Sequence, residues 1–587
     1  MCFHRFVFFV QGIHVKLEFY NPSGKTETTA RHADRLPSLS GKRIGFLSNG
    51  DWQAFRSLPL LIRHLREDFH DVDILPLDTF PEGTDFIAED ATIEAVKRSG
   101  VDAVVIGNAA CGACSTACAL AAGRLEAIGI PTVTITREEF VPVVCNAVSG
   151  LGLPPDLAIV TFPLGLFTPD SDLSPLSERR REIYYGLTSW VPRDLDGAED
   201  AIIAIECRDY EEGLRTVNHL FQINRWGDGL PMWPATRERV EWILRGTDLP
   251  RDHLLGKFPP RGGLATVEAC AISLAMAGGR PEYLCILIAA VEAILDPKAN
   301  AEHEQATSAG TFPVVIVNGP IGKQVRMNSG FGCLGPDAQH PAGASIGRAL
   351  RQLQQNLGGA LPGSGTMAPW GAMRYTNAVF AEDEENLPEG WLPHGTERHG
   401  FAPGTNSISF FWATGATNIV RRSATDATLQ EDVLQGLHRM AGFLAAPSVH
   451  YINGYTEGTP GAILLTKVVA KYLAMTGWTK EKTRRFLWEN SKISRDVLQR
   501  NGCIPWFERG GDRLGRESVK LDPWPIASKP ENLILVVAGG GHPTHAFWLQ
   551  AIARNVVGRK VAAPHALDDL LGEAGRDLGC GSDACMI

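Results

Sequence analysis

Residues 106–123 read IGNAACGACSTACALAAG and place Cys111, Cys114 and Cys118 close together. Four chemistries suit such a cluster. Small cysteines among alanines pack well where a helix meets a sheet. Thiols can ligate zinc, but one helix does not direct three successive thiols at a tetrahedral centre, and no second CxxC or HxxxH pair lies nearby. A C-x-x-C pair at a helix start is the spacing of a redox dithiol. A single thiolate at a strand end is a nucleophile, and its neighbour can resolve the adduct. The reactive-thiol readings are favoured for Cys111 and Cys114, whereas Cys118, Cys145, Cys207, Cys270 and Cys285 read as packing. Ser115 and Thr116 add hydroxyl donors for a bound anion where a helix begins.

Other stretches could serve the same chemistry. VVIVNGPIGKQVRMNSGFGCLGPDAQHPAG (314–343) offers Asn318, Lys323, Arg326, Asn328, Ser329 and Cys333 in a glycine-rich setting suited to an anion. It lacks both G-x-G-x-x-G and a P-loop GK[ST], so nucleotide binding is not supported. PPRGGLATVEA (259–269) puts Arg261 and two glycines before a helix starting near Thr266 and Glu268. WLPHGTERHGFAPGTN (391–406) holds His394, Glu397 and His399 at a generic spacing better suited to surface or turn histidines than to a metal. His542 and His545, on a glycine turn, are the histidine candidates for acid/base work. Cys580 and Cys585, in the tail DLGCGSDACMI, are candidates for a dithiol shuttle.

These residues need elements to hold them. From 42 to 165 apolar strands (KRIGFLSNG, DVDILPLDTF, VDAVVIGNA, IPTVTIT, LAIVTFP) alternate with helical segments. That alternation predicts an α/β fold, a parallel sheet covered on both faces in a flavodoxin-like, doubly wound layer. Cys111 then follows a strand and Cys114 enters a helix whose dipole lowers thiol pKa. Asn49 and Asn108, at adjacent strand ends, are expected to orient substrate. VKLEFYNP (15–22) reads as the beginning of the fold and residues 1–14 as an extension. Residues 15–165 are expected to form the flavodoxin-like domain, 166–225 a connecting strand–helix segment, and 226–587 a larger α+β region of one or two subdomains. Within it, 425–500 reads as helical and 531–552 as a strand, a glycine turn and a helix.

Composition narrows the class. The chain has 587 residues, 44% hydrophobic and 21% charged, with a net charge of −10, which gives no general attraction to nucleic acid. No apolar run reaches the roughly 18–20 residues of a membrane span, and the amino end lacks a cleavable leader pattern. Twelve cysteines, mostly scattered, do not form a secreted disulfide framework, so a reducing cytoplasmic location is expected.

KRIGFLSNG, and then GVDAVVIGNAACGACSTACALAAGRLEAIGIPTVTI, resemble the UGSC-motif (seleno)protein family. There a selenocysteine or cysteine opens U/C-G-x-C directly after a strand. Here the match is Cys111-Gly112-Ala113-Cys114, with alanine where the name motif has serine. The region is similar, more distantly, to the substrate-handling selenoprotein of glycine, sarcosine and betaine reductases. GDGLPMWPATRERVEWILRGTD and IVNGPIGKQVRMNSGFGCLGP resemble a second domain that accompanies UGSC proteins. The resemblance implies Cys111 in the selenocysteine place, Cys114 as resolving thiol, and reductive bond cleavage with an external thiol reductant. Aspartate/glutamate racemases offer a weaker analogy, disfavoured because thiols three residues apart cannot straddle a carbon. The expectation is a thiol-dependent enzyme, an oxidoreductase or lyase, acting on a small anionic molecule as a homo-oligomer or with a reductase partner. The alternatives are a metal-dependent lyase or hydrolase using His394, His399, His542, His545 and Cys333, or a non-catalytic thiol subunit.

Overall fold

The computed structural model describes residues 15–193, 201–371, 377–420, 427–447, 458–510 and 513–579. Five runs of apolar residues pair into one parallel sheet: β2 (Arg43–Ser48), β3 (Asp73–Ile74), β4 (Ala103–Ala109), β5 (Thr132–Arg137) and β6 (Ile159–Phe162). Their order is β3-β2-β4-β5-β6, the flavodoxin-like order, with its switch point between β2 and β4. Alternation along β4 sends Ala103 and Val105 into one core and Val104 and Ile106 into another, so both faces are covered. The covering helices include α1 (Ala54–Asp68), α2 (Asp90–Arg98), α3 (Gly112–Ala127) and α4 (Val141–Gly150). DVDILPLDTF contributes only the two residues of β3, because Pro76 is followed by a 3-10 turn at Leu77–Thr79.

β1 (Val15–Tyr20) does not join this sheet. It pairs antiparallel with β7 (Ile202–Cys207), Val15 opposite Cys207 and Tyr20 opposite Ile202. Leu17 and Phe19 pack with Val217, Phe221 and Phe258 in the core of the C-terminal unit. Residues 174–188 instead pack Leu176, Ile183 and Leu187 on the flavodoxin-like sheet. The structure therefore divides residues 15–225 differently from the sequence reading. VKLEFYNP and the 202–223 strand–helix pair belong with the C-terminal unit, and the helices of 174–188 with the parallel sheet.

The C-terminal unit contains the hairpin β8 (Leu254–Phe258) and β9 (Gly263–Thr266), and a curled mixed sheet of β10 (Phe312–Asn318), β11 (Ala378–Ala381), β12 (Ser407–Val420), β13 (Gly461–Leu465), β14 (Ile534–Val537), β15 (His545–Ala551) and β16 (Val557–Lys560). β12, fourteen residues long, pairs through its first half with β10 and β16 and through its second half with β15. Two sequence expectations are corrected here. HAFWLQA is the strand β15, not a helix: it lies between β12 and β13, where alternate side chains and two bulky aromatics suit a pleated surface. GAILL, within the region expected to be helical, is the buried strand β13, whose apolar run is too short to separate from a helix by pattern alone. Among the described residues no helix is long and apolar enough to cross a membrane.

Candidate functional site

The carboxyl ends of β2 and β4 meet at the switch point, and the cysteine pair stands there. Cys111 is the N-cap of α3: its Sγ accepts the backbone N–H of Cys114 at 3.2 Å, as an aspartate or serine oxygen does at other helix starts. Cys111 and Cys114 form a disulfide. Cys111 is the more accessible partner, and Cys114 is 4% exposed. The indole Nε1 of Trp52 donates to Cys114 Sγ at 3.2 Å. An N–H aimed at each sulfur is an arrangement that favours thiolates over thiols.

Trp52 reaches the sulfur from a turn with two successive left-handed residues, Trp52 at φ 54° and Gln53 at φ 64°. Such positions cost on the order of 1 kcal/mol or more each for residues with side chains, so neighbouring bonds must hold them. Asn49 and Asn108 do so. Asn49 Nδ2 donates to Asn108 O at 2.6 Å, and Asn49 Oδ1 accepts Asn108 N–H at 2.8 Å. Asn108 Nδ2 donates to Trp52 O at 2.7 Å and Ser57 Oγ at 2.9 Å. The expectation that these asparagines orient substrate is therefore revised. Both are fully buried, and their amides brace the strand ends and the Trp52 turn.

Ser115 and Thr116 are also fully buried. Thr116 Oγ1 is turned back to Gly112 O at 3.0 Å, within its own helix, so it is not presented to an anion. Ser115 Oγ, Asn108 Oδ1 and Thr136 Oγ1 are buried without hydrogen-bond partners, on three elements around the end of β4. Cys118 is buried, and burial, with the charge of Asp51, pushes its thiol up to about 12. Burial likewise raises Cys145 to about 11 and Cys270, Cys285 and Cys333 to about 12, and Cys207 is buried with its thiol directed to Val15 O.

The C-terminal unit closes over the first turn of α3. A Cβ on Gly112 would come within 1.9 Å of Ala306 O and 3.2 Å of Met367 Cβ, so only glycine allows this approach. Ala306 ends the helix Ala301–Ala306, which also carries His303. Burial depresses the His303 ring to about 4, with Asp85 opposing and Arg554 adding to the shift, and Nε2 has no partner. Asp85, from the flavodoxin-like unit, and Arg554, from the C-terminal unit, form an ion pair across the contact. Sequence reasoning missed Trp52, His303, Asp85 and Arg554. The signal available for Trp52 was the S-N-G-D turn after β2; His303 and Arg554 carry no local signal.

The remaining candidates lie elsewhere. Lys323 is exposed and pairs with Glu385 at 2.6 Å. Asn328 bonds within its own loop, to Phe331 O and Asp337, and Ser329 O accepts Gly539 N–H at 2.9 Å. That loop is fastened to the glycine turn of the C-terminal sheet, where a Cβ on Gly540 would meet Phe331. His542 and His545 face each other, Nδ1 to Nδ1 at 2.8 Å, and burial followed by the His542 charge lowers the His545 pKa. His545 opens β15, and Arg554 follows the strand's other end. At about 3.4 Å per residue, the length of the strand keeps the histidine pair roughly 20 Å from the contact between units. The surface expectation for His394 is corrected: it is 2% exposed beside Glu382 and Lys480, and burial holds its pKa well below the usual range. Among the described residues no group of three or more His, Cys, Asp or Glu side chains is arranged to hold a metal ion. Cys580 and Cys585 lie outside the described residues.

The UGSC family model matches residues 18–173 of the chain. No curated protein and no solved structure matches it.

Proposed function

We propose, from the match of residues 18–173 to the UGSC family model, that the chain is a thiol-dependent reductive enzyme acting on a small anionic molecule. The observation that carries this reading is the Cys111–Cys114 pair at the switch point, bridged at a helix start with one N–H donor on each sulfur. Dithiol and disulfide are the two states a two-electron donor needs.

In the reduced state the Cys111 thiolate attacks the carbon of R–X, forming the C–S bond and releasing X⁻. Cys114 thiolate then attacks Cys111 Sγ. The S–S bond forms, the C–S bond breaks with its electron pair going to R, and R takes a proton from solvent. The dithiol is oxidised by two electrons, and R–X is reduced to R–H. An external dithiol reductant restores the pair by exchange. Cys111, the more accessible sulfur, receives the attack, and Cys114 leaves as a thiolate that the Trp52 N–H stabilises.

The test uses reduced protein and a panel of small carboxylates bearing a leaving group on the adjacent carbon. Wild type is expected to consume dithiol in step with product. Cys111→Ser is expected to abolish turnover, and Cys114→Ser to stop after one event with a mass adduct on Cys111. Full turnover by both variants overturns the reading.

A further inference from the structure

Away from the cysteines, a cavity of about 440 Å³ opens between the helices Tyr210–Ile223 and Ala342–Asn356 and the loop 361–371. Its wall contains Arg225, Arg351, Gln222, Gln355 and Thr366. Arg351 is 6% exposed, an unusual state for a guanidinium without a carboxylate of its own. Its hydrogen bond runs to Ala360 O at 3.2 Å. The acid whose charge acts on it, Asp228, also lines the cavity but is already held in a fork by Arg348 at 2.6 and 2.9 Å. Five donors on a buried cation therefore outnumber the acceptors that the described residues supply.

Two further observations point the same way. Thr366, 3% exposed, also lines this space, and its Oγ1 has no hydrogen-bond partner among the described residues. Arg225, also in the lining, brings a second guanidinium from a turn at φ 58°, a conformation that side-chain-bearing residues seldom adopt. The turn is held because Gln355 Nε2 donates to Arg225 O and to Gly227 O. Its guanidinium reaches Pro362 O and Ser364 Oγ only at 3.3 and 3.4 Å, long for charge-assisted bonds. Among the described residues, the lining thus holds two guanidiniums, one hydroxyl without a hydrogen-bond partner, and one carboxylate, Asp228, that is already paired with Arg348.

We propose that this cavity binds the carboxylate or phosphate group of a small polar anion, with Arg351 and Arg225 as charge partners and Thr366 Oγ1 as hydrogen-bond donor. The site is separate from the Cys111–Cys114 chemistry and stands whether or not that reading holds. It is nevertheless contiguous with it in structure: Thr366 and Ala368 flank Met367, whose N–H donates to Ala306 O at 3.1 Å beside Gly112.

Isothermal titration of the full chain with sodium phosphate, and separately with sodium malonate, tests the proposal against a sodium chloride control at matched ionic strength. Saturable binding of phosphate alone assigns a phosphoryl ligand, of malonate alone a carboxylate ligand, and of both the shared anion chemistry. Arg225→Gln is expected to weaken binding about tenfold, as loss of one charge-assisted contact should. Thr366→Val is expected to weaken it several-fold without lowering the unfolding temperature, because it removes a buried hydroxyl that has no partner to lose. Arg351→Met is expected to have the largest effect on affinity; the other two variants decide the matter should it fold poorly. Absence of binding by either anion up to about 10 mM, or binding undiminished in both Arg225→Gln and Thr366→Val, overturns the proposal.

Discussion

At the scale of single residues, reactivity should separate the cysteines sharply. A thiol pushed up to about 12 carries almost no thiolate at neutral pH, whereas a helix start and an indole N–H favour the anion. After reduction, brief treatment with iodoacetamide at pH 7 is expected to label Cys111 first and to leave Cys118, Cys270, Cys285 and Cys333 unlabelled until the chain is denatured. Peptide mass mapping reads the order, and early labelling of Cys118 would contradict the burial argument. Trp52→Phe keeps an aromatic ring but removes the N–H on Cys114 Sγ. It should raise the Cys114 thiol pKa and slow the resolving step, seen as accumulation of the Cys111 adduct with little change in fold stability. The cysteines were legible from spacing and position alone. The asparagines were legible as important but not in role, since a sequence shows that two amides sit at strand ends and not that they bond to each other. Trp52 was hidden because it lies in a left-handed turn just before α1, and no local pattern shows which sulfur an indole in such a turn reaches.

At the scale of elements, the closest approach in the site is α3 against the helix Ala301–Ala306. Gly112→Ala would press a methyl group into Ala306 O, a backbone atom that cannot swing away. The expected cost is about 1–3 kcal/mol, the range for overpacking a tight contact, measurable as a lower urea midpoint. The disulfide should still form, because its geometry lies within α3. The parallel strands β2 and β4 to β6 were readable because runs rich in apolar and β-branched residues are bracketed by turn residues. Antiparallel β15 was not. His545 and Gln550 interrupt its apolar run, and a glycine turn leads into helices as readily as into hairpins. β1 was recognisable as a strand, but its partner lies far along the chain, and no local pattern names a distant partner.

At the scale of the whole molecule, buried histidines make stability depend on acid. Burial lowers His303 and His399 to about 4, and His394 well below its usual range. In the unfolded chain each takes up a proton near pH 6.5, so the unfolded state binds more protons between about pH 6.5 and 4. Stability is therefore full above pH 6.5 and is lost progressively as pH falls towards 4. The urea midpoint is expected to be clearly lower at pH 5 than at pH 7.5, and an equal midpoint would show that these rings are not held neutral. The Asp85–Arg554 pair ties the two units together. Asp85→Asn removes the charge of this pair and should loosen their docking, visible as faster hydrogen exchange at the first turn of α3.

The pairing of Tyr20 with Ile202 has a consequence for how the chain is made. The flavodoxin-like unit is a guest carried between two strands of its host. A ribosome releases β1 first and β7 only after the whole guest has emerged. The parallel sheet can assemble while β1 still waits, its edge unpaired and open to a neighbouring nascent chain. Closing so long a loop adds little to the equilibrium cost, since that cost grows only as the logarithm of length, but it delays the host's completion until the guest is in place. Built in that order, the guest presents both sulfurs before the surface over the first turn of α3 exists, and only the more accessible Cys111 stays within reach once the host closes.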